Sequence, residues 1–212
     1  MLSAGLEDKF KALEDHILIL IYKYIEPHKD SLQRPEDYDL DVHSFCILCH
    51  AAFEEFIEDV TIYSINKIET EFKNNPRRFS YATLCLLHFD ENPKTFNDDK
   101  NKDCFNIFND YLYERICSRK KDLSKYAMSE NHGIDIKYLR KLLLPVGIEF
   151  PKTTRELNSL ERLKNIRGVY AHSYKRKEDS ISPEEALNIV YDVLEMVKII
   201  KNKALNMSYY VL

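Results

Sequence analysis

The chain has 212 residues, enough to bury a full hydrophobic core around one domain. Hydrophobic residues at 44% and charged residues at 31% exclude a disordered chain, and a formal net charge of −4 excludes global attraction to nucleic acid or anionic membranes. Binding to either must therefore use a local patch. Five cysteines (Cys46, Cys49, Cys85, Cys104 and Cys117), odd in number and spread along the chain, favour reduced thiols over a disulfide framework. Met1 to Asp8 hold no basic region leading into an apolar one. The run Ile17-Leu18-Ile19-Leu20-Ile21 is closed by Lys23 and Glu26 before it reaches the length of a membrane span. A soluble, cytoplasmic protein without membrane contact is expected.

Only four glycines, with abundant Leu, Ile, Lys and Glu, predict helices. The first runs from about Leu6 to Glu26 and stops before Pro27. A polar, proline-containing connector, His28 to Tyr38, leads into a long helix from about Asp41 to Phe72. There Phe45, Leu48, Ala52, Phe56 and Val60 follow helical spacing, and Asn74-Asn75-Pro76 ends the element. Residues 77–102 read as a less regular insertion, with a short helix over Phe79 to Phe89 and a polar loop after it. A further helix covers Cys104 to Met128 and is broken by Asn131-His132-Gly133. A short one follows from Asp135 to Leu144, ended by Pro145 and Gly147.

The last two helices carry start signals. Thr153 with Glu156 is a capping-box pattern opening a helix to about Tyr174. Ser182-Pro183-Glu184-Glu185 opens another that runs to about Leu205. The predicted fold is all-α, a bundle of about five to six helices forming one domain over 1–212, with an N-terminal helix within 1–30 and the closing pair within 154–205.

Cys46-Ile47-Leu48-Cys49-His50 matches a c-type haem attachment pattern, but that chemistry belongs to exported proteins and the motif falls inside an amphipathic helix. Cysteines there pack as small hydrophobes. A zinc site using Cys46, Cys49, His50 and His43 lacks a second spaced pair, so neither metal nor cofactor is expected. His16, His28, His88 and His132 have no partner at catalytic spacing, and glycine-rich phosphate loops and nucleophile elbows are absent.

Arg167 is the anomaly. It stands where a leucine belongs, on one helical face with Leu160, Leu163, Tyr170, Ala171 and Tyr174. An arginine on an apolar stripe loses hydration unless a carboxylate, a partner chain or an anionic substrate compensates. Between Arg162 and Lys177 lie Arg162, Lys164, Arg167, Lys175, Arg176 and Lys177 with no acidic residue, a positive patch with Tyr170 and Tyr174 beside it. A solvated helix C-terminus also favours basic residues. Gly168, mid-helix, costs roughly 1 kcal/mol relative to alanine and suggests close approach of another backbone or a ligand. Glu54, on the face of the long helix that holds Ile47, His50 and Ile57, is placed to pair with Arg167. It belongs to an acidic run with Glu55, Glu58 and Asp59 that is equally read as a solvated face.

Arg167-Gly168-Val169-Tyr170-Ala171-His172-Ser173 resembles the signature of the HEPN superfamily, often written Arg-Asn-x-Ile-Ala-His-Gly. Ala51 to Asp59 looks like the glutamate-bearing helix of the stand-alone RiboL-PSP-like and MAE-like HEPN groups. Gly133 to Ile148 resembles the segment before their signature helix, and Ser182 to Glu185 resembles the start of their last helix. The similarity runs from about Asp41 onward. Gly168 stands where active members usually carry a polar residue, and Ser173 where glycine is common.

The resemblance implies a metal-independent endoribonuclease of toxin or anti-phage type, working as a homodimer on RNA, with an antitoxin or defence-system partner. Arg167 and His172 take the catalytic positions. Arg162, Lys164, Tyr170, Ser173, Lys175 and Arg176 are the expected substrate contacts, and Glu54 and Gly168 the expected supports. Such enzymes direct the RNA 2′-hydroxyl at the adjacent phosphate, leaving a cyclic phosphate and a free 5′-hydroxyl. A histidine moves the proton near neutral pH and an arginine holds the phosphate. Two other readings stay open: a non-catalytic module that binds RNA or a protein, and a helical structural subunit in which Arg167 pairs with Glu54.

Overall fold

The computed structural model describes residues 2–29, 34–76, 79–89, 104–129, 133–150, 153–172 and 180–207, with 2–4, 104–107 and 169–172 described as backbone alone. Every regular element among them is helical. The α-helices are α1 (Leu2–Tyr24), α2 (Pro35–Asn74), α3 (Tyr81–His88), α4 (Cys104–Ser129), α5 (Ile136–Leu143), α6 (Thr154–His172) and α7 (Pro183–Leu205). Single 3-10 turns follow α1 at Glu26–His28 and α5 at Leu144–Val146. The all-α expectation holds, with seven helices among the described residues rather than about five to six. The difference comes from counting α3 and α5, whose lengths sit at the lower limit of helical periodicity.

The long helix α2 organises the fold and begins earlier than its sequence suggests. Residues up to Tyr38 read as connector because of Pro35, yet proline suits the first helical position, where its missing N–H would have no partner. Glu36 and Asp37 favour the positive end of the helix, and the Arg34 N–H donates to Asp37 Oδ2 at 3.1 Å. Helices α1, α4, α6 and α7 all pack on α2, so its burial exceeds one stripe. Phe45 and Val60 are fully enclosed and Phe56 nearly so, as the spacing predicts, while Leu48 is 38% exposed and faces outward. Cys46, Cys49, Phe53 and Ile57 fill the core instead. Burial pushes the Cys46 thiol up to about 12 and that of Cys49 higher still, so both act as small apolar groups.

Local caps fix the segments on which the site is built. Ser182 Oγ accepts from the Glu185 N–H at 3.1 Å, and Pro183 takes the first position of α7. The Glu185 carboxylate turns instead to Arg162 of α6. Thr153 meets Glu156 side chain to side chain at the start of α6. Asp135 caps α5 by accepting from the Tyr138 N–H at 2.7 Å. Beyond α5, Gly147 at φ +72° ends the 3-10 turn, and the Ala82 Cα lies only 3.0 Å from where a Cβ would sit. Among the described residues no helix is long and apolar enough to cross a membrane.

Candidate functional site

Helix α6 is seated by Leu160 and Leu163, both fully buried, and by Ile166. Arg167 follows directly and is half-buried, at the edge of the core that these residues define. Its guanidinium presses on the backbone of Gly133, in the segment leading into α5. A Cβ there would overlap Arg167 Nη1 and come within 3.3 Å of His50 Cε1. Gly133 also has φ +125°, a conformation L side chains rarely adopt. This glycine is therefore what allows α2, α6 and the approach to α5 to meet at one point.

The acidic edge of α2 holds the same segment. The Gly133 N–H donates to Glu54 Oε1 at 2.8 Å, and the Tyr138 hydroxyl donates to Glu58 Oε1 at 3.2 Å. Burial and the Glu58 carboxylate beside it push the Tyr138 phenol well above its ordinary range, so it remains a donor. Glu54 Oε2 lies 3.9 Å from Nδ1 of His50, one turn back on α2. Part of the acidic run is thus a clamp and not a solvated face.

His50 is completely buried, and neither ring nitrogen has a hydrogen-bond partner among the described residues. Burial and then the nearby Arg167 charge lower its pKa to about 4, against smaller opposing effects of the Ile134 backbone and Asp135. At neutral pH the arginine thus has a neutral imidazole beside it. Asp135 is bound to Lys164 at 3.1 Å. Burial raises its pKa, but the Tyr138 N–H and Lys164 outweigh that effect and leave it below the ordinary range. The hydrogen bond to Asp135 in turn raises the Lys164 pKa.

Helix α6 carries an arginine held at a glycine turn and, five residues on, a histidine, beneath a helix that supplies glutamates. A family model described as RiboL-PSP-HEPN matches residues 7–206 of this chain. The chain belongs to the RiboL-PSP-HEPN family. Comparison with curated proteins and with solved structures gave no significant match.

Within this HEPN chain the predicted site residues fall into three groups. Arg167 and Glu54 converge on Gly133, one through its guanidinium and the other through a hydrogen bond. Arg162 is ion-paired with Glu185, and Lys164 with Asp135 and, at 3.6 Å, with Glu161. Carboxylates from neighbouring elements thus reach a run that has no acidic residue of its own. Gly168 is exposed, and no described atom lies within 4 Å of a Cβ built on it. Tyr170 and His172 belong to the α6 backbone, their side chains being outside the described residues, as are Ser173, Lys175 and Arg176 entirely.

Sequence reasoning missed the parts of the candidate site that come from afar. In the sequence Gly133 reads as a helix breaker, and His50 as the end of a haem-like pattern and a candidate zinc ligand. The i,i+4 spacing of His50 and Glu54 was the one local signal that α2 turns a polar pair toward α6.

Proposed function

We propose that this protein is an endoribonuclease of HEPN type that cuts RNA without a metal ion, at a cleft between two copies of α6, as a toxin or anti-phage effector. The observation that carries this reading is Arg167, half-buried at the Gly133 turn on the helix that also bears His172. Held there, its guanidinium presents fixed donors to a phosphate and stabilises charge that builds as the 2′-oxygen bonds to phosphorus. His172 exchanges the proton, taking it from the 2′-hydroxyl or giving it to the departing 5′-oxygen.

Five residues on an ideal helix subtend about 140°, so one copy's pair does not converge on a single atom. A two-fold partner supplies the complementary group. The open surface at Gly168 suits close approach of that second helix. Tyr170, Ser173, Lys175 and Arg176 are the proposed contacts along the RNA, and Arg162 and Lys164 reinforce the positive field from within their ion pairs.

The test is incubation of the purified protein with RNA in chelator, followed by analysis of the ends. Cyclic-phosphate products that disappear in His172→Ala and Arg167→Ala are expected. Absence of cutting, or cutting unchanged in His172→Ala, would refute the catalytic role.

A non-catalytic RNA- or protein-binding module is the second reading, favoured by the neutralisation of Arg162 and Lys164 and by Gly168 in place of a polar residue. It requires Arg167→Ala to weaken binding while His172→Ala leaves it intact.

A further inference from the structure

Helix α5 begins three residues after Gly133, which Arg167 touches, and Tyr138 in its first turn lies beside Tyr126 of α4. Its inner side is spent on the core: Tyr138, Leu139, Leu142 and Leu143 are buried. Its outer side is wholly basic. Lys137, Arg140 and Lys141 are exposed and share one face, since spacings of three and four residues fall on the same side of a helix.

Three cations so close together on one face, none matched by a carboxylate of the described residues, set this helix apart from the ion-paired basic residues of α4 and α6. Arg155, Arg162, Lys164, Lys120 and Lys201 are all matched by carboxylates. Among the described residues none of Lys137, Arg140 and Lys141 has an ion-pair partner. The carboxylates that touch α5 are committed elsewhere, Asp135 to the helix cap and Lys164, Glu58 to the Tyr138 hydroxyl. Lys141 is also held in place, its ammonium lying 4.9 Å from the centroid of the Tyr126 ring of α4. In a chain of net charge −4, three cations on one short helix form a local positive surface, and that helix starts three residues beyond the Gly133 that Arg167 touches.

We infer that the RNA path continues from Arg167 along the outer face of α5, where Lys137, Arg140 and Lys141 contact the phosphate backbone of single-stranded RNA. The inference rests on the reading of the Arg167 end as an RNA site. The start of α5 three residues beyond the Arg167–Gly133 contact favours RNA over an acidic protein partner. Lysine and arginine contacts to phosphates carry no base information, so the contribution of this face is sequence-independent and strongly salt-dependent.

The experiment measures binding of a fluorescein-labelled, 2′-O-methylated single-stranded oligoribonucleotide of mixed sequence, which cannot be cut by 2′-hydroxyl attack, by anisotropy across a salt series. Wild type is compared with Lys137→Gln/Arg140→Gln/Lys141→Gln. A control, Lys11→Gln/Lys23→Gln/Lys198→Gln, removes the same charge from exposed positions on α1 and α7. Circular dichroism checks that both variants fold. Three lost phosphate contacts should lower the slope of log K against log salt by about 2 and weaken binding on the order of tenfold to hundredfold near 0.1 M salt. The control should leave the slope unchanged.

Equal effects in the two variants, or an unchanged slope in the α5 variant, would overturn the path and leave this face to an acidic protein. Failure of wild type to bind the probe would overturn it as well. Cleavage is scored separately on unmodified RNA. Binding without cutting removes the nuclease and keeps the path, whereas cutting with an unaltered α5 slope does the reverse.

Discussion

Replacing Gly133 by alanine tests whether this glycine sets the position of Arg167. The new Cβ meets two problems at once. At φ +125° an L side chain is strained, at a cost of about 1–3 kcal/mol, offset by roughly 0.4–1 kcal/mol from the stiffer unfolded chain. The Cβ also overlaps Arg167 Nη1 and crowds His50 Cε1 at 3.3 Å. His50 is enclosed and cannot give way, whereas Arg167 can swing its head aside, so the arginine moves. A net loss of about 1–2 kcal/mol lowers the melting temperature by about 2–8 °C. Displacing a guanidinium from a phosphate removes a charge-assisted hydrogen bond of about 1.5–3 kcal/mol, a further 10- to 100-fold loss of RNA affinity.

Gly147→Ala is the matched control, since it also places a side chain at positive φ, but against Ala82 and not against Arg167. Urea unfolding followed by circular dichroism gives the stabilities, and anisotropy at a temperature where both variants are folded gives RNA binding. Equal RNA affinity in Gly133→Ala and Gly147→Ala would show that the glycine does not position the arginine.

His50 predicts an acid limb of known sign. With its folded pKa lowered from 6.5 to about 4, it is neutral in both states above pH 6.5. Between those values the unfolded chain binds a proton that the native protein refuses. Stability therefore falls as pH falls, by up to ~1.4 kcal/mol per pH unit and roughly 3 kcal/mol by about pH 4. Denaturant titrations of wild type and His50→Gln across this window should differ by that slope, and parallel curves would refute it. Tyr138→Phe deletes the hydroxyl that meets Glu58 and should cost about 1–2 kcal/mol. In Glu58→Gln the same change should cost less; an equal cost in both backgrounds would mean that this bond does not clamp α5 to α2.

Local chemistry made much of the fold legible. Pro27 and Pro76 end helices, Ser182-Pro183 starts one, and Gly147 closes the turn after α5, each through a backbone constraint of its own. The errors came where one residue type serves two purposes. Pro35 reads as loop yet opens α2, and Leu48 fits an apolar file yet faces outward while Cys46, Cys49, Phe53 and Ile57 fill the core. The candidate site divides along the same line. Arg167 and Glu54 are conspicuous as charges out of place. Their meeting point is not, because His50, Gly133 and Arg167 are distant in sequence and only tertiary packing joins them. Periodicity likewise gave no sign that Glu185 and Asp135 fold back on Arg162 and Lys164.

The empty space beside Gly168 makes that position a reporter. A methyl group added there touches no described atom of the chain, and alanine is about 0.8–1 kcal/mol better than glycine within a helix. Left to itself, the molecule gains stability from the exchange. Any loss of function that accompanies that gain arises from a surface the molecule meets, whether RNA or a second chain.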